Sequence, residues 1–254
     1  MSQSQDQKQS VFVHLAALRR MLVFSAAAIA AAFFLVFYFA ADALMTLLLS
    51  PITARGIEVI YTAMSEALVT KMKVSFIAAV VLVSPVVLWQ VWAFIKPALY
   101  SHEKRSIRLL FFITVFLFLL GVAFCYSAVY MLAVDFFLVS GENLAVPMLS
   151  IDKYVSFLFG FVVPFGLAFE LPVALYLTTR MGVTNYAMLA PKRKFVILAI
   201  AVIAAVLTPP DVVSQMMLGV PILLLFEISL QICRFVKPRN PEEETAGSDA
   251  APQD

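Results

Sequence analysis

The chain has 254 residues, of which 63% are hydrophobic and 13% charged, with a mean hydropathy of +0.96 and a formal charge of +2. A water-soluble domain of this length cannot hide so much apolar side chain, because about half of its surface stays exposed. Soluble enzymes and binding modules are excluded, and an integral membrane protein is indicated. An excess of Leu, Ile, Val, Ala and Phe with few turn residues points to helices, since barrel strands alternate apolar and polar positions.

In chain order, residues 1–20 are polar and end in His14, Arg19 and Arg20, which reads as a cytoplasmic N-terminal segment. The apolar run 21–41 is long enough, at about 1.5 Å per residue, to cross a ~30 Å hydrocarbon core. It exceeds the ~7–15 residues of a cleavable signal's apolar region, so an uncleaved first helix is expected. The stretch "LRRMLVF" faintly mimics a twin-arginine export signal, but two basic residues before a first helix act as topology determinants.

A second helix is predicted over 66–95. Its start, "TAMSEALVTKMK", has helix-forming composition with Thr62 or Ser65 as caps, so it begins outside the bilayer. Further helices are predicted over 109–134 and 154–179, the latter interrupted only by Glu170. The next, 195–207, has 13 residues before Thr208-Pro209-Pro210-Asp211. That helix rises about 20 Å, short of the ~30 Å core, so either the diproline turn is sunk or the bilayer thins there. The last helix is predicted over 212–233, with Glu227 near its end as an ordinary interfacial acid. Residues 50–73 and 135–153 are the long external loops, and 238–254 reads as a disordered tail.

Fourteen Lys and Arg fall on the side of the termini and four on the other. The positive-inside rule then gives an all-α membrane protein with six transmembrane helices in a domain over 21–237, and both termini cytoplasmic.

Glu170 lies between Pro164 and Pro172, about 15 Å deep in its helix. A charged acid at such depth costs roughly 2.5–3.5 kcal/mol unless it is neutral or faces water or protein. It is a neutral hydrogen-bond donor to another helix, a proton or ion relay, or a polar docking point in a concave pocket. Cys125 and Cys233 are too far apart in depth to pair, and His14 and His102 lack the spacing of a metal site. Phosphate-binding, nucleophile-elbow and metalloprotease motifs are all missing, so no enzyme, no cofactor and no nucleic-acid partner is expected. In the first cytoplasmic loop Glu103 stands alone among Lys96, Lys104, Arg105 and Arg108. It is either salt-bridged locally or available to a partner's guanidinium.

"HLAALRR", "SPVVLWQVWAFIKPALYSHEKR", "FGLAFELPVA" and "LTPPDVVSQ" occur in this order across nearly the whole chain. Together they resemble TatC, the multispanning subunit of the twin-arginine translocase. The resemblance implies a glove-shaped six-helix fold in the bacterial inner membrane, with short helices five and six. It implies a receptor that binds twin-arginine signal peptides of folded cargo and assembles with TatA, TatB, other copies of itself and membrane lipid, driven by the protonmotive force. Glu103 then matches the signal-binding carboxylate, with Phe94 and Pro97 shaping its loop and Ala17, Leu18 and Arg19 forming the N-terminal part of the site. Glu170 matches an intramembrane polar site, Thr208 and Gln215 a partner-subunit contact, and Pro209, Pro210 and Asp211 the structural turn. One departure matters: the family motif carries Glu where this chain has Ala17, and Arg where it has Met21. Two guanidinium groups then meet one carboxylate, and at about 1.5–3 kcal/mol per charged hydrogen bond the affinity falls by one to two orders of magnitude. A proton-coupled small-solute transporter using Glu170 is the alternative. It predicts uptake that collapses in Glu170→Gln without any partner subunit.

Overall fold

A computed structural model describes the backbone over residues 3–99, 104–141, 148–208 and 210–236, and side chains over 15–94, 108–141, 148–208 and 210–236. Five described helical runs are long and apolar enough to cross a membrane: Leu15–Phe39, Glu66–Phe94, Arg108–Gly141, Ile151–Arg180 and Val212–Phe235. The chain divides into two compact units, Met1–Gly166 and Leu167–Asp254.

In the first unit, helix α1 (Gln3–Phe39) packs along α3 (Glu66–Leu99), which also packs against α2 (Ala41–Thr53) and α4 (Lys104–Phe124). The N-terminal segment, read from sequence as merely polar, is helical from Gln3. Helix α2 fills the interval between the predicted first helix, ending at 41, and the predicted loop from 50, and runs into that loop as far as Thr53, because "ALMTLLLSPIT" is itself helix-forming and Pro51 sits where the helix is ending. Helix α4 continues through a π-helical turn, Cys125–Tyr130, into α5 (Met131–Gly141), so this span outruns its predicted end. Strand β1 (Val59–Ile60) pairs in parallel with β2 (Leu149–Ser150) ahead of α6 (Ile151–Ala168), tying the two long loops together.

The π turn has a consequence for the core. It admits an extra residue per turn and re-aims the side chains after it. Tyr130, fully buried, then meets Tyr154 at 5.6 Å between ring centroids and Phe157 at 6.1 Å. Phe157 stacks edge-on against Phe161 at 4.9 Å. This aromatic column, with Val155, Leu158 and Phe165, is the dry centre of the first unit. The apolar side chains left outside, such as Phe34, Phe112 and Phe116, face hydrocarbon instead of water.

In the second unit, α10 (Val212–Phe235) packs against α7 (Leu171–Arg180), α8 (Tyr186–Leu189) and α9 (Arg193–Leu207). With 15 residues α9 rises about 22 Å, still short of a full span.

Candidate functional site

Ala17 and Arg19 are exposed on α1 and Leu18 is half-buried. Among the described residues, Ala16, Arg19, Arg20, Val23, Phe24 and Ala27 line a cleft of about 580 Å³. It joins two guanidinium groups to an apolar floor. Phe94 is half-buried in α3, and that helix runs through Pro97 to Leu99, so both lie in the helix and not in the loop. Glu103 falls outside the described residues. What the structure does supply is the frame of its loop. Trp92 Nε1 donates to Thr114 Oγ1 at 3.3 Å, and Trp89 meets Phe111 edge-on at 5.1 Å, pinning α3 to α4 at the base of the hairpin.

Glu170 occupies a break that its flanking residues dictate. Pro172 has no N–H to give the carbonyl four residues back, so α6 stops at Ala168 and α7 starts at Leu171. Pro164, by contrast, is carried inside α6. Glu170 N donates to the Leu167 carbonyl at 3.1 Å, and the Glu170 carbonyl accepts from Ala174 N at 2.9 Å, so the backbone is satisfied across the break. The side chain is half-buried, and its Oε1 is sealed from solvent with no hydrogen-bond partner among the described residues. Among the described residues that oxygen takes no part in holding the fold.

The α9–α10 turn is built by three polar side chains. Thr208 is buried and donates back to the Ala204 carbonyl at 2.9 Å. Asp211 caps α10, accepting from Ser214 N at 2.7 Å. Gln215 Nε2 reaches across to the Ala201 carbonyl at 2.9 Å, clipping α10 to α9. Pro210 is exposed, and Pro209 lies outside the described residues. Beside this turn Gln215, Ile197, Ile200, Gly219 and Leu223 border an apolar groove of about 280 Å³. Further along the same pair, Glu227 meets Arg193 at 3.1 Å, which gives that interfacial acid a partner.

At the end of the first unit bearing the β1–β2 bridge lies a polar clamp. Glu66 accepts from Thr62 N (2.5 Å), Thr62 Oγ1 (2.7 Å) and Ala63 N (3.2 Å), and also from Ser150 Oγ and Asp152 N (3.1 Å). Lys73 pairs with Asp152 at 2.5 Å, Arg55 with Asp135 at 2.5 Å and Lys71 with Asp42 at 2.7 Å. Tyr154 donates to the Leu48 carbonyl at 2.9 Å. Charges that count only as topology markers in the sequence thus hold α2, α3, α5 and α6 in register.

Residues 13–221 match the family model for TatC, the Sec-independent protein translocase protein. The chain belongs to the TatC family. It is 36% identical over 236 residues to the Sec-independent protein translocase protein TatC of Carboxydothermus hydrogenoformans, covering 92% of this chain and 97% of that protein. It is 37% identical over 245 residues to TatC of Escherichia coli strain K12, covering 94% and 95%. A crystal structure of a twin arginine translocase receptor, TatC, superposes with a TM-score of 0.81 at 40% identity, over 86% of this chain and 97% of that one.

Membership makes the chain a multi-pass membrane component of protein translocation and not an enzyme. Sequence reasoning found the TatC motifs but missed the clamp and the Trp92–Thr114 bridge. A signal for the clamp was present: Glu66 follows Thr62 by four residues at a helix start, and both loops carry paired acids and bases.

Proposed function

We propose that this chain is the receptor subunit of a twin-arginine translocase in the bacterial inner membrane. Glu103 pairs with the arginines of the signal peptide at the cytoplasmic face. Phe94 and Pro97 shape the approach from α3, while Ala17, Leu18 and Arg19 flank it from α1. The observation that carries the reading is the likeness, at 40% identity and TM-score 0.81, to a protein solved as a twin arginine translocase receptor.

The remaining parts follow from charge and length. Fourteen Lys and Arg against four place residues 1–20 and the tail 238–254 in the cytoplasm. Six crossings result when α9 is counted as the fifth, in a bilayer thinned around it. The α9–α10 groove, with Gln215 on its wall and Thr208 behind it, receives an apolar helix of the single-span TatA or TatB subunit. Glu170 offers its unused oxygen to a polar group of a partner or an inserted signal, and the protonmotive force drives passage of folded cargo. Ala17 weakens recognition by leaving one carboxylate for two guanidinium groups.

The test is complementation in cells lacking their own TatC, with a folded reporter behind a twin-arginine signal. Export that needs both arginines and is lost in Glu103→Ala is expected. Export of a twin-lysine signal at equal rate, or an unaffected Glu103→Ala, overturns the reading.

A further inference from the structure

The first unit carries an apolar groove of its own, about 470 Å³ in volume. Val36 and Ala40 of α1, Leu44 of α2, Val74 and Ala78 of α3 and Leu158 of α6 wall it. Tyr126, in the π turn, brings the one polar side-chain atom of the lining, and that hydroxyl donates to the Leu47 carbonyl at 3.3 Å. The groove therefore offers water no partner, and hydrocarbon is what fills it. Along α3 it reaches from Val74 to Leu82, a rise of about 12 Å. A partner's spanning helix packs along most of a ~30 Å core, so a groove this short suits a flexible tail better than a rigid helix.

One end of the groove is charged. Lys71 shares a face of α3 with Val74 and Ala78, three and seven residues on. It pairs with Asp42 at 2.7 Å, and Asp42 lies between the lining residues Ala40 and Leu44. Lys71 Nζ also stands 5.7 Å over the ring of Phe37, which follows Val36 in α1. Three elements thus bring the pair to the groove. Asp42 keeps 89% of its side-chain exposure, so it has room for a second donor beside Lys71. Tyr38 and Phe39, just ahead of it and largely exposed, are the aromatic residues that settle at a membrane interface. The pair therefore lies at headgroup depth, with the groove running inward from it.

A cation beside an anion matches a headgroup that carries both charges, its phosphate toward Lys71 and its ammonium toward Asp42. A quaternary ammonium has no N–H to give Asp42. A headgroup with no ammonium sets its phosphate against that carboxylate.

We propose that the groove of the first unit holds an acyl chain of phosphatidylethanolamine, with Asp42 receiving the primary ammonium and Lys71 the phosphate. The inference goes beyond the receptor reading and does not depend on it, since lipid binding is read on the isolated chain without signal peptide.

The experiment is native mass spectrometry of the delipidated full chain in neutral detergent, titrated separately with phosphatidylethanolamine, phosphatidylcholine and phosphatidylglycerol of matched acyl chains. Phosphatidylethanolamine is expected to be retained at about fivefold lower concentration than either of the others. Asp42→Asn removes that advantage and, by freeing Lys71, shifts the preference to phosphatidylglycerol. Ala78→Phe, and Leu82→Trp at an exposed position of the lining, fill the groove and weaken retention of all three. Lys194→Gln, an exposed cation of the second unit, changes none of them. Equal retention of the three lipids by the unaltered chain overturns the proposal, as does an Asp42→Asn profile no different from that of Lys194→Gln. Retention indifferent to both groove-filling changes overturns it in favour of headgroup contact alone. A dimer that lipid does not disperse and that Leu82→Trp abolishes overturns it in favour of a second copy of the chain.

Discussion

Lys73 and Asp152 are 79 residues apart in sequence and lock α3 to α6 at the end bearing the β1–β2 bridge. At 2.5 Å the bare attraction is about 7 kcal/mol for an effective dielectric of about 20. Their side chains keep 38% and 31% of their exposure, so desolvation is incomplete, and entropy and screening remove most of that value. Exposed pairs net about 0.2–1 kcal/mol. Here Lys73 also donates to Ser156 Oγ at 3.0 Å, and Thr70 donates to Asp152 at 3.4 Å, which fixes the geometry and sets the coupling near the top of that range, about 1 kcal/mol. A double-mutant cycle of Lys73→Ala and Asp152→Ala, read by thermal unfolding in nanodiscs, should therefore show a coupling worth about 2–4 °C. The cycle is needed because Asp152 also sits in the first turn of α6, where its charge favours the helix dipole by itself. The coupling should shrink as salt is raised, because both groups are partly solvated. Additive single-mutant shifts at low salt, or a coupling indifferent to salt, would refute this reasoning.

Three further outcomes follow from local geometry. A Cβ on Gly166 would stand 2.9 Å from Phe118 Cε2, so Gly166→Ala should destabilise by about 1–2 kcal/mol, and a second change, Phe118→Ala, should relieve the clash in a thermal-shift comparison. Asp211→Ala removes the N-cap of α10 and should lower stability by about 1 kcal/mol, while Asp211→Asn retains most of it. Glu170→Gln should leave unfolding within about 0.5 kcal/mol of wild type, since Oε1 holds no partner in the described fold, yet reduce export of a folded reporter; unchanged export would remove Glu170 from the mechanism.

The long apolar runs were legible because a membrane span needs only length and composition. The four-motif pattern was legible because its residue types are rare inside such runs. The lengths of α2 and α5 were not, since "ALMTLLLSPIT" and "FFLVSG" lie past the point where a span is already complete, and nothing in composition separates a helix that projects from a loop. The break at Glu170 follows from Pro172, whereas Pro164, equally without an N–H, remains inside α6, so a proline alone does not locate a break. The clamp is wholly tertiary. Glu66, Ser150 and Asp152 come together through the pairing of two-residue strands, which no periodicity announces.

The central claim is that a carboxylate in the first cytoplasmic loop receives the arginines of a signal peptide, and that Ala17 weakens its grip. The most direct test places a photo-reactive group beside the twin arginines of a signal peptide and measures its crosslinking to the full chain in membranes. The account predicts an adduct that requires both arginines, disappears in Glu103→Ala, and forms at one to two orders of magnitude lower peptide concentration in Ala17→Glu. An adduct equally strong with twin lysines, or indifferent to both substitutions, would contradict it.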